Sequence, residues 1–288
     1  MKKFKKRLFY TAAILAFLGY FVYKKWPDSS IKVIFCDVGQ GDSILIQQDF
    51  FQVLIDSGKD DRVLGCLGKF LPAWDRTIEV MILTHGDEDH IGFFEEILGL
   101  YDTKYLFFPA TNKDTATLQA LKEAILQEQA NGAALKQPIL GQSVRLPEGG
   151  WLTFLEKPGE NPAAQSKNDR SIVFLLEYGR TSWLFTGDLE EKGELWLVAS
   201  GLLPQVDVLK VGHHGSATSS SLVFLEKISP SLAVISAGRK NSYGHPAQSV
   251  LENLAAVGSA VLRTDQLGDI ELATDGETIW VQSTGLRE

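Results

Sequence analysis

A chain of 288 residues with 44% apolar content and ten prolines has enough apolar material for one large core or two small ones, which excludes a disordered polymer. The first 25 residues hold seven of the 28 basic residues and none of the 36 acidic ones, so the remainder carries a net charge of −15. That balance excludes a general polyanion-binding surface, and a phosphate-bearing substrate would have to be held by a local basic patch or by metal ions.

The N-terminal "MKKFKKR" precedes a 16-residue apolar run, 8–23, and then Lys24-Lys25. The pattern predicts one transmembrane helix, uncleaved because no small-x-small site follows it. Basic residues before the run outnumber those after it, which predicts a cytoplasmic N-terminus and a single-pass protein of the cell membrane with an extracytoplasmic domain. Residues 1–30 are read as basic terminus and membrane anchor, and 31–288 as the globular domain. There, "IKVIFCDVG", "DSILIQQ" and "FFQVLIDSG" predict an antiparallel meander. "VLGCLGKFLP" predicts a helix, "TIEVMILT" a buried strand, 91–99 a helix, "KYLFFPA" a strand and 115–129 a polar helix. A second β-rich series begins at "SVRLPEGGWLTFLEK" and continues through "SIVFLLEYG" and "TSWLFTGD". Helices near 190–200, 219–228 and 247–257 then alternate with "VDVLKV", "LAVISAG", "AVLRTD" and "GDIELATDG". Strands followed by helices, twice over, predict two β-sheets packed face to face and covered by helices. Cys36 and Cys66 lack metal-type spacing, leaving open one disulfide or two buried thiols.

All five histidines, His85, His90, His213, His214 and His245, end strand-like runs beside Gly, Asp or Ser. In "THGDEDH", a loop leaving a buried strand offers His85, Asp87, Asp89 and His90, and imidazole and carboxylate are ordinary ligands of divalent zinc or manganese. Asp188 also fits a β-turn after Gly187, and His245 a turn before Pro246. Strand alternation predicts that His213 and His214 face opposite sides, one of them structural. In "SATSSS", Ser216 and Thr218 could hold a phosphate or simply cap the following helix. Asp42 and Asp56, at strand ends, are read as supports of the metal loop or as purely structural.

"THGDEDHIG" resembles the H-x-H-x-D-H signature of metallo-β-lactamase-fold hydrolases, with Asp87 in place of the second His. "LIDSG", "LFTGD", "HHGS" and "NSYGHP" follow in the family's order. With "DVGQGDSILI", "NDRSIVFLLEYG" and "VDVLKVGHHGSATSSS", the chain is similar over about 31–283 to the hydrolase domain of ComEC-type DNA-internalisation competence proteins. The resemblance implies an α+β, four-layer αβ/βα sandwich and two divalent ions, Mn²⁺ or Zn²⁺. By resemblance His85 and Asp87 hold one ion, Asp89 and His90 the other, Asp188 bridges them and His245 completes the second. Where the family commonly has a further His, Asn168 and Asp169 stand, which implies a more oxygen-rich first site. Asp89 with His213 or His214 would be the catalytic groups. The expected activity is that of a membrane-anchored phosphodiesterase or nuclease acting on DNA outside the cytoplasm, with a separate channel protein as a possible partner. The −15 charge keeps open another envelope phosphodiester, choline- or lipid-linked, and the fold keeps open a non-catalytic binding module. The oligomeric state is not set by the sequence.

Overall fold

The computed structural model describes residues 2–24, 29–109, 115–155 and 168–285. In chain order its strands are β1 (Ile31–Phe35), β2 (Ile44–Gln48), β3 (Phe51–Ile55), β4 (Thr77–Ile82), β5 (Asp102–Phe107), β6 (Ala134–Lys136), β7 (Ser143–Arg145) and β8 (Trp151–Phe154). They continue with β9 (Phe174–Tyr178), β10 (Thr181–Phe185), β11 (Val208–Lys210), β12 (Leu232–Ile235), β13 (Ala260–Arg263), β14 (Ile270–Thr274) and β15 (Ile279–Thr284). The helices are α1 (Lys2–Lys24), α2 (Arg62–Phe70), α3 (Glu88–Ile91), α4 (Phe94–Leu98), α5 (Ala116–Ala130), α6 (Glu191–Ser200), α7 (Leu222–Ile228), α8 (Gln248–Ala256) and α9 (Thr264–Leu267).

Strand alternation explains the layering. Val33 and Phe35 of β1 enter one core and Ile34 another, because successive side chains of a strand point to opposite faces. Leu54 of β3 and Met81 of β4 join Ile34, while Val53, Ile55, Val80 and Ile82 join Phe35. In the other sheet Trp183 and Phe185 of β10 face that same central core, and Leu184 faces a third one with residues of α6, α7 and α8. Three apolar seams thus separate four layers, helices, sheet, sheet, helices, as expected. Within the second sheet Phe174 stacks on Phe185 with ring centroids 4.8 Å apart, and across the central seam Phe154 approaches Phe107 at the same 4.8 Å.

The strand orders are β15-β14-β1-β2-β3-β4-β5-β6 and β13-β12-β11-β10-β9-β8-β7. Each sheet starts antiparallel and becomes parallel, at β3–β6 and at β10–β13, where helices return the chain. The last hairpin crosses back, with β14 pairing antiparallel to β1 and β15 extending that sheet. The short β6, α9 and the half-exposed β15 were outside the sequence expectation, and the helix expected at 91–99 is broken into α3 and α4. Cys36 and Cys66 form a disulfide that ties the end of β1 to α2.

The expectation of a transmembrane helix is not supported. Residues 2–24 are helical, but among the described residues no helix is long and apolar enough to cross a membrane. The 16 apolar residues rise only about 24 Å against a hydrocarbon core of about 30 Å, and lysines or arginine bound the run at both ends.

Candidate metal centre

The polar residues gather where parallel strands end, the customary place for a ligand in such sheets. Asp56 follows β3, Thr84 and His85 follow β4, Asp188 follows β10, and His213 and His214 follow β11. Two glycines permit the approach. Gly41 has φ +129°, and a Cβ there would collide with the carbonyl of Asp89; Gly187 has φ +52° and fits against Ser171 and Thr84, turning the chain into Asp188.

Asp188 lies at the middle of the cluster, buried, with its two oxygens facing different partners. Its Oδ1 lies 3.2 Å from His90 Nε2 and 3.6 Å from His214 Nε2. Its Oδ2 lies 3.6 Å from His85 Nε2 and 3.7 Å from His213 Nε2. Asp89 Oδ2 adds a carboxylate 3.4 Å from His214 Nε2, and Asp87 Oδ2 one 3.9 Å from His85 Nε2.

The outer nitrogens fix what the inner ones present. His90 Nδ1 is 2.7 Å from Asp56 Oδ2, and His214 Nδ1 is 3.1 Å from the Ser236 carbonyl, so each carries its proton on Nδ1 toward an acceptor. Thr84 Oγ1 donates to Asp56 Oδ2 at 2.7 Å and can then accept from His85 Nδ1 at 3.0 Å. In their neutral forms all three imidazoles aim a bare Nε2 at Asp188. His85 Nε2 is buried without a hydrogen-bond partner, and the Nε2 atoms of His90 and His214 face each other at 3.2 Å. Lone pairs converging on a carboxylate in a dry pocket call for a cation, and the donor set fits a divalent metal.

Protonation responds to the same lack. Burial opposes charge on His214, but Asp188 and Asp42 overcome it and push the imidazole up to about 9. His90 is likewise raised against burial, by Asp188 and Asp56. Burial and the neighbouring His90 hold His85 down to about 3. Asp188 is held well below the carboxylate range because His90, His214 and His85 outweigh its burial. Burial also dominates at Asp56 and raises it, despite His90 and Thr84. Asp42 is lowered, Lys210 and His214 prevailing over burial. Lys210 Nζ sits 2.7 Å from Asp42 Oδ2, with both side chains buried. Asp42 Oδ1 lies 3.5 Å from His214 Nδ1, and Asp42, His90, Asp188 and His214 form a compact group of potential metal donors.

His213 and His214 do not face opposite sides. The chain leaves β11 into a 3-10 turn, Gly212–Gly215, in which His213 and His214 have φ +48° and +55°. This left-handed pair breaks the strand alternation and swings both rings toward Asp188. His213 Nδ1 then lies 3.5 Å from Glu190 Oε1, and Asn168 Nδ2 lies 3.4 Å from His213 Nε2 and donates to Glu190 Oε1 at 3.2 Å. Thr218, exposed, places Oγ1 3.4 Å from His213 Nδ1 and 3.1 Å from Ser216 Oγ. Asp169 is buried against Gly193 of α6. His245 stays at the rim: its Nδ1 is 3.4 Å from Gln40 Nε2 and its ring 5.8 Å from that of His213, so His214 stands in the inner position expected for it. A cavity of about 560 Å³ opens on Asp87 and Asp89 and is also lined by Gln40, Lys59 and Tyr243.

Glu190, Lys210, Thr84 and Ser236 were missed. Lys210 left one signal, a lone charge closing the apolar "VDVLKV". Glu190 looks like any helix-leading acid, and Ser236 acts through its backbone, which no side-chain pattern reveals.

The profile of the metallo-beta-lactamase superfamily matches residues 36–239, spanning every residue of the cluster except His245. The chain belongs to that superfamily. Within it, the chain is 36% identical over 259 residues to ComE operon protein 3 of Bacillus subtilis, covering 82% of this chain and 32% of that protein. It is 31% identical over 256 residues to Recombination protein 2 of Haemophilus influenzae, covering 87% and 30%. The chain therefore spans about a third of the length of these relatives. Its fold is shared with the metallo-beta-lactamase fold protein YhfI of Bacillus subtilis, at TM-score 0.53 and 12% identity, over 87% of this chain and 99% of that one. Superfamily membership implies a metal-dependent hydrolase, and the donor cluster is a candidate site for divalent ions.

Proposed function

We propose that the protein is a two-metal phosphodiesterase acting on DNA outside the cytoplasm. The observation that carries this reading is Asp188, with Oδ1 turned to His90 and His214 and Oδ2 turned to His85 and His213. One carboxylate between two donor sets is what a bridging ligand requires. Bound divalent ions supply Lewis acidity and lower the pKa of a water. The chain's own residues do the rest. Asp56, Thr84 and the Ser236 carbonyl hold three rings in one tautomer, and the burial of His90 and His214 excludes bulk water from that side. His213, more exposed than His214, faces Asp188 Oδ2 as a donor to one ion, and Glu190 beside its Nδ1 orients the ring.

DNA as the substrate is supported by similarity to a ComE operon protein and a recombination protein. The Cys36–Cys66 disulfide supports an oxidising, extracytoplasmic compartment. Exposed Phe4, Phe9, Ile14 and Leu15 on the basic α1 support membrane association, with a channel protein as partner. The test is hydrolysis of single-stranded DNA, duplex DNA and bis-p-nitrophenyl phosphate with and without Mn²⁺ or Zn²⁺. Metal-dependent cleavage of DNA is expected, and failure on all three substrates would overturn the reading. The charge of −15 beyond residue 25 favours a second reading, a choline- or lipid-linked diester. Cleavage of the small diester with DNA left intact would select it.

A further inference from the structure

We propose that the loop 238–246 is a track for single-stranded nucleic acid, with Tyr243 as a stacking platform for a base and Arg239 and Lys240 as contacts to backbone phosphates. The inference rests on the phosphodiesterase reading and names how its substrate is held. Asn241 makes the loop rigid: its Nδ2 donates to the carbonyls of Gly238 and His245 at 2.8 and 2.7 Å, and its Oδ1 accepts from the N–H groups of Tyr243 and His245 at 3.2 and 2.9 Å. Tyr243 is nevertheless 70% exposed. Its ring lies over His245 with centroids 5.6 Å apart and planes 27° from parallel, and it lines the same cavity as Asp87 and Asp89. A large ring held still in solvent at the mouth of a catalytic cavity contributes little to the core and offers an open π-face.

At the other end of the loop Arg239 and Lys240, both exposed, line an adjoining cavity of about 380 Å³. Gln40 lines both cavities, so the two adjoin at this residue beside the rim of the metal centre. The same cavity has Arg62, whose guanidinium is engaged by Asp60 through two hydrogen bonds, and Asp37, whose carboxylate accepts from Gly39 N–H. With Arg62 paired to Asp60 and Asp37 still charged, Arg239 and Lys240 leave this cavity positive by about one charge, in a chain whose residues beyond 25 carry a net −15. Cation and exposed aromatic in sequence along one groove match single-stranded nucleic acid, where backbone phosphates alternate with bases that have a free face. A duplex hides those faces, and a lipid- or choline-linked diester has none.

Binding of a labelled oligothymidylate, followed by fluorescence anisotropy with metal chelated to prevent cleavage, tests the track. Tyr243→Ala is expected to weaken binding about tenfold and Tyr243→Phe to leave it unchanged. The pair Arg239→Ala and Lys240→Ala is expected to reduce the slope of log K against log salt by about 1.4. Lys122→Ala with Lys227→Ala removes the same charge from exposed helix positions and is expected to leave the slope as it was. The proposal is overturned if the protein does not bind the strand, if Tyr243→Ala binds as tightly as the parent, or if both lysine- and arginine-deleted pairs lose affinity alike. Hydrolysis of bis-p-nitrophenyl phosphate without strand binding refutes the track alone; strand binding without any hydrolysis refutes the phosphodiesterase reading alone.

Discussion

The two sides of Asp188 are built from the same side-chain types but supported differently. On the Oδ1 side His90 and His214 are 0% and 1% exposed, and each Nδ1 is fixed by Asp56 or the Ser236 carbonyl. On the Oδ2 side His85 is buried against Thr84, but His213 is 23% exposed and leans on Glu190, itself 24% exposed, with Asn168 and Thr218 beside it. Buried supports cost stability when removed, because an unpaired charge stays behind in a dry interior. Half-exposed supports can be replaced by water. One side is therefore expected to be coupled to folding and the other to be tuned separately.

The largest effect is expected where the sides meet. Asp188→Ala should lower metal-dependent turnover by on the order of 10³-fold or more and leave less than the full metal content, with the domain still folded. Turnover near that of the parent, measured on a metal-analysed sample, would break the bridging comparison. Next, Lys210→Met leaves Asp42 buried without its lysine behind the Oδ1 side, and chemical denaturation should show a loss of roughly 3 kcal/mol or more. Combining it with Asp42→Leu should recover much of that loss, since the carboxylate is then removed together with its lysine.

A smaller effect separates the Oδ2 side from the fold beneath it. Glu194, buried in α6, accepts the N–H of Ser221 at 2.9 Å and that of Ser220, anchoring the loop that carries Thr218. Burial raises its carboxyl from 4.5 to about 7. The folded state thus binds this proton more firmly than the unfolded one. Its stabilisation is complete below about pH 4.5 and is lost as pH rises through about 7, roughly 3 kcal/mol in all. Glu194→Gln, which cannot ionise, should flatten that part of the stability profile of metal-stripped protein. A profile unchanged by the substitution would assign the slope to other groups. The smallest effect is expected for Glu190→Gln: about tenfold weaker binding of the more loosely held metal equivalent by calorimetry, with stability within about 1 kcal/mol of the parent.

Much of this arrangement was legible beforehand. Alternation in "IKVIF" and "TSWLF" separates central from outer core, and "THGDEDH" after an apolar run marks where a strand delivers its ligands. What escaped depended on backbone conformation or on residues distant in sequence. The positive φ angles of His213 and His214 cancel an alternation that the sequence alone would extend past Lys210. Because the His213 ring then reaches Asp188 Oδ2, that side has one more nitrogen than the Asn168 and Asp87 positions suggested. Glu190 and Lys210 acquire their roles from partners distant in sequence, such as Asn168 and His213 for one and Asp42 for the other. The short β6 and the half-exposed β15 lack a full apolar run, so they left little pattern to read.

The Lys210–Asp42 pair joins the loop after β1 to the end of β11, across the seam between the sheets. The first sheet supplies His85, Asp89 and His90, and the second supplies Asp188, His213 and His214. Neither half owns the full set of candidate donors. Chains cut between β6 and β7 would consequently behave as complementing fragments, silent toward metal when separate and competent once docked, so that ion uptake would report correct assembly of the whole sandwich.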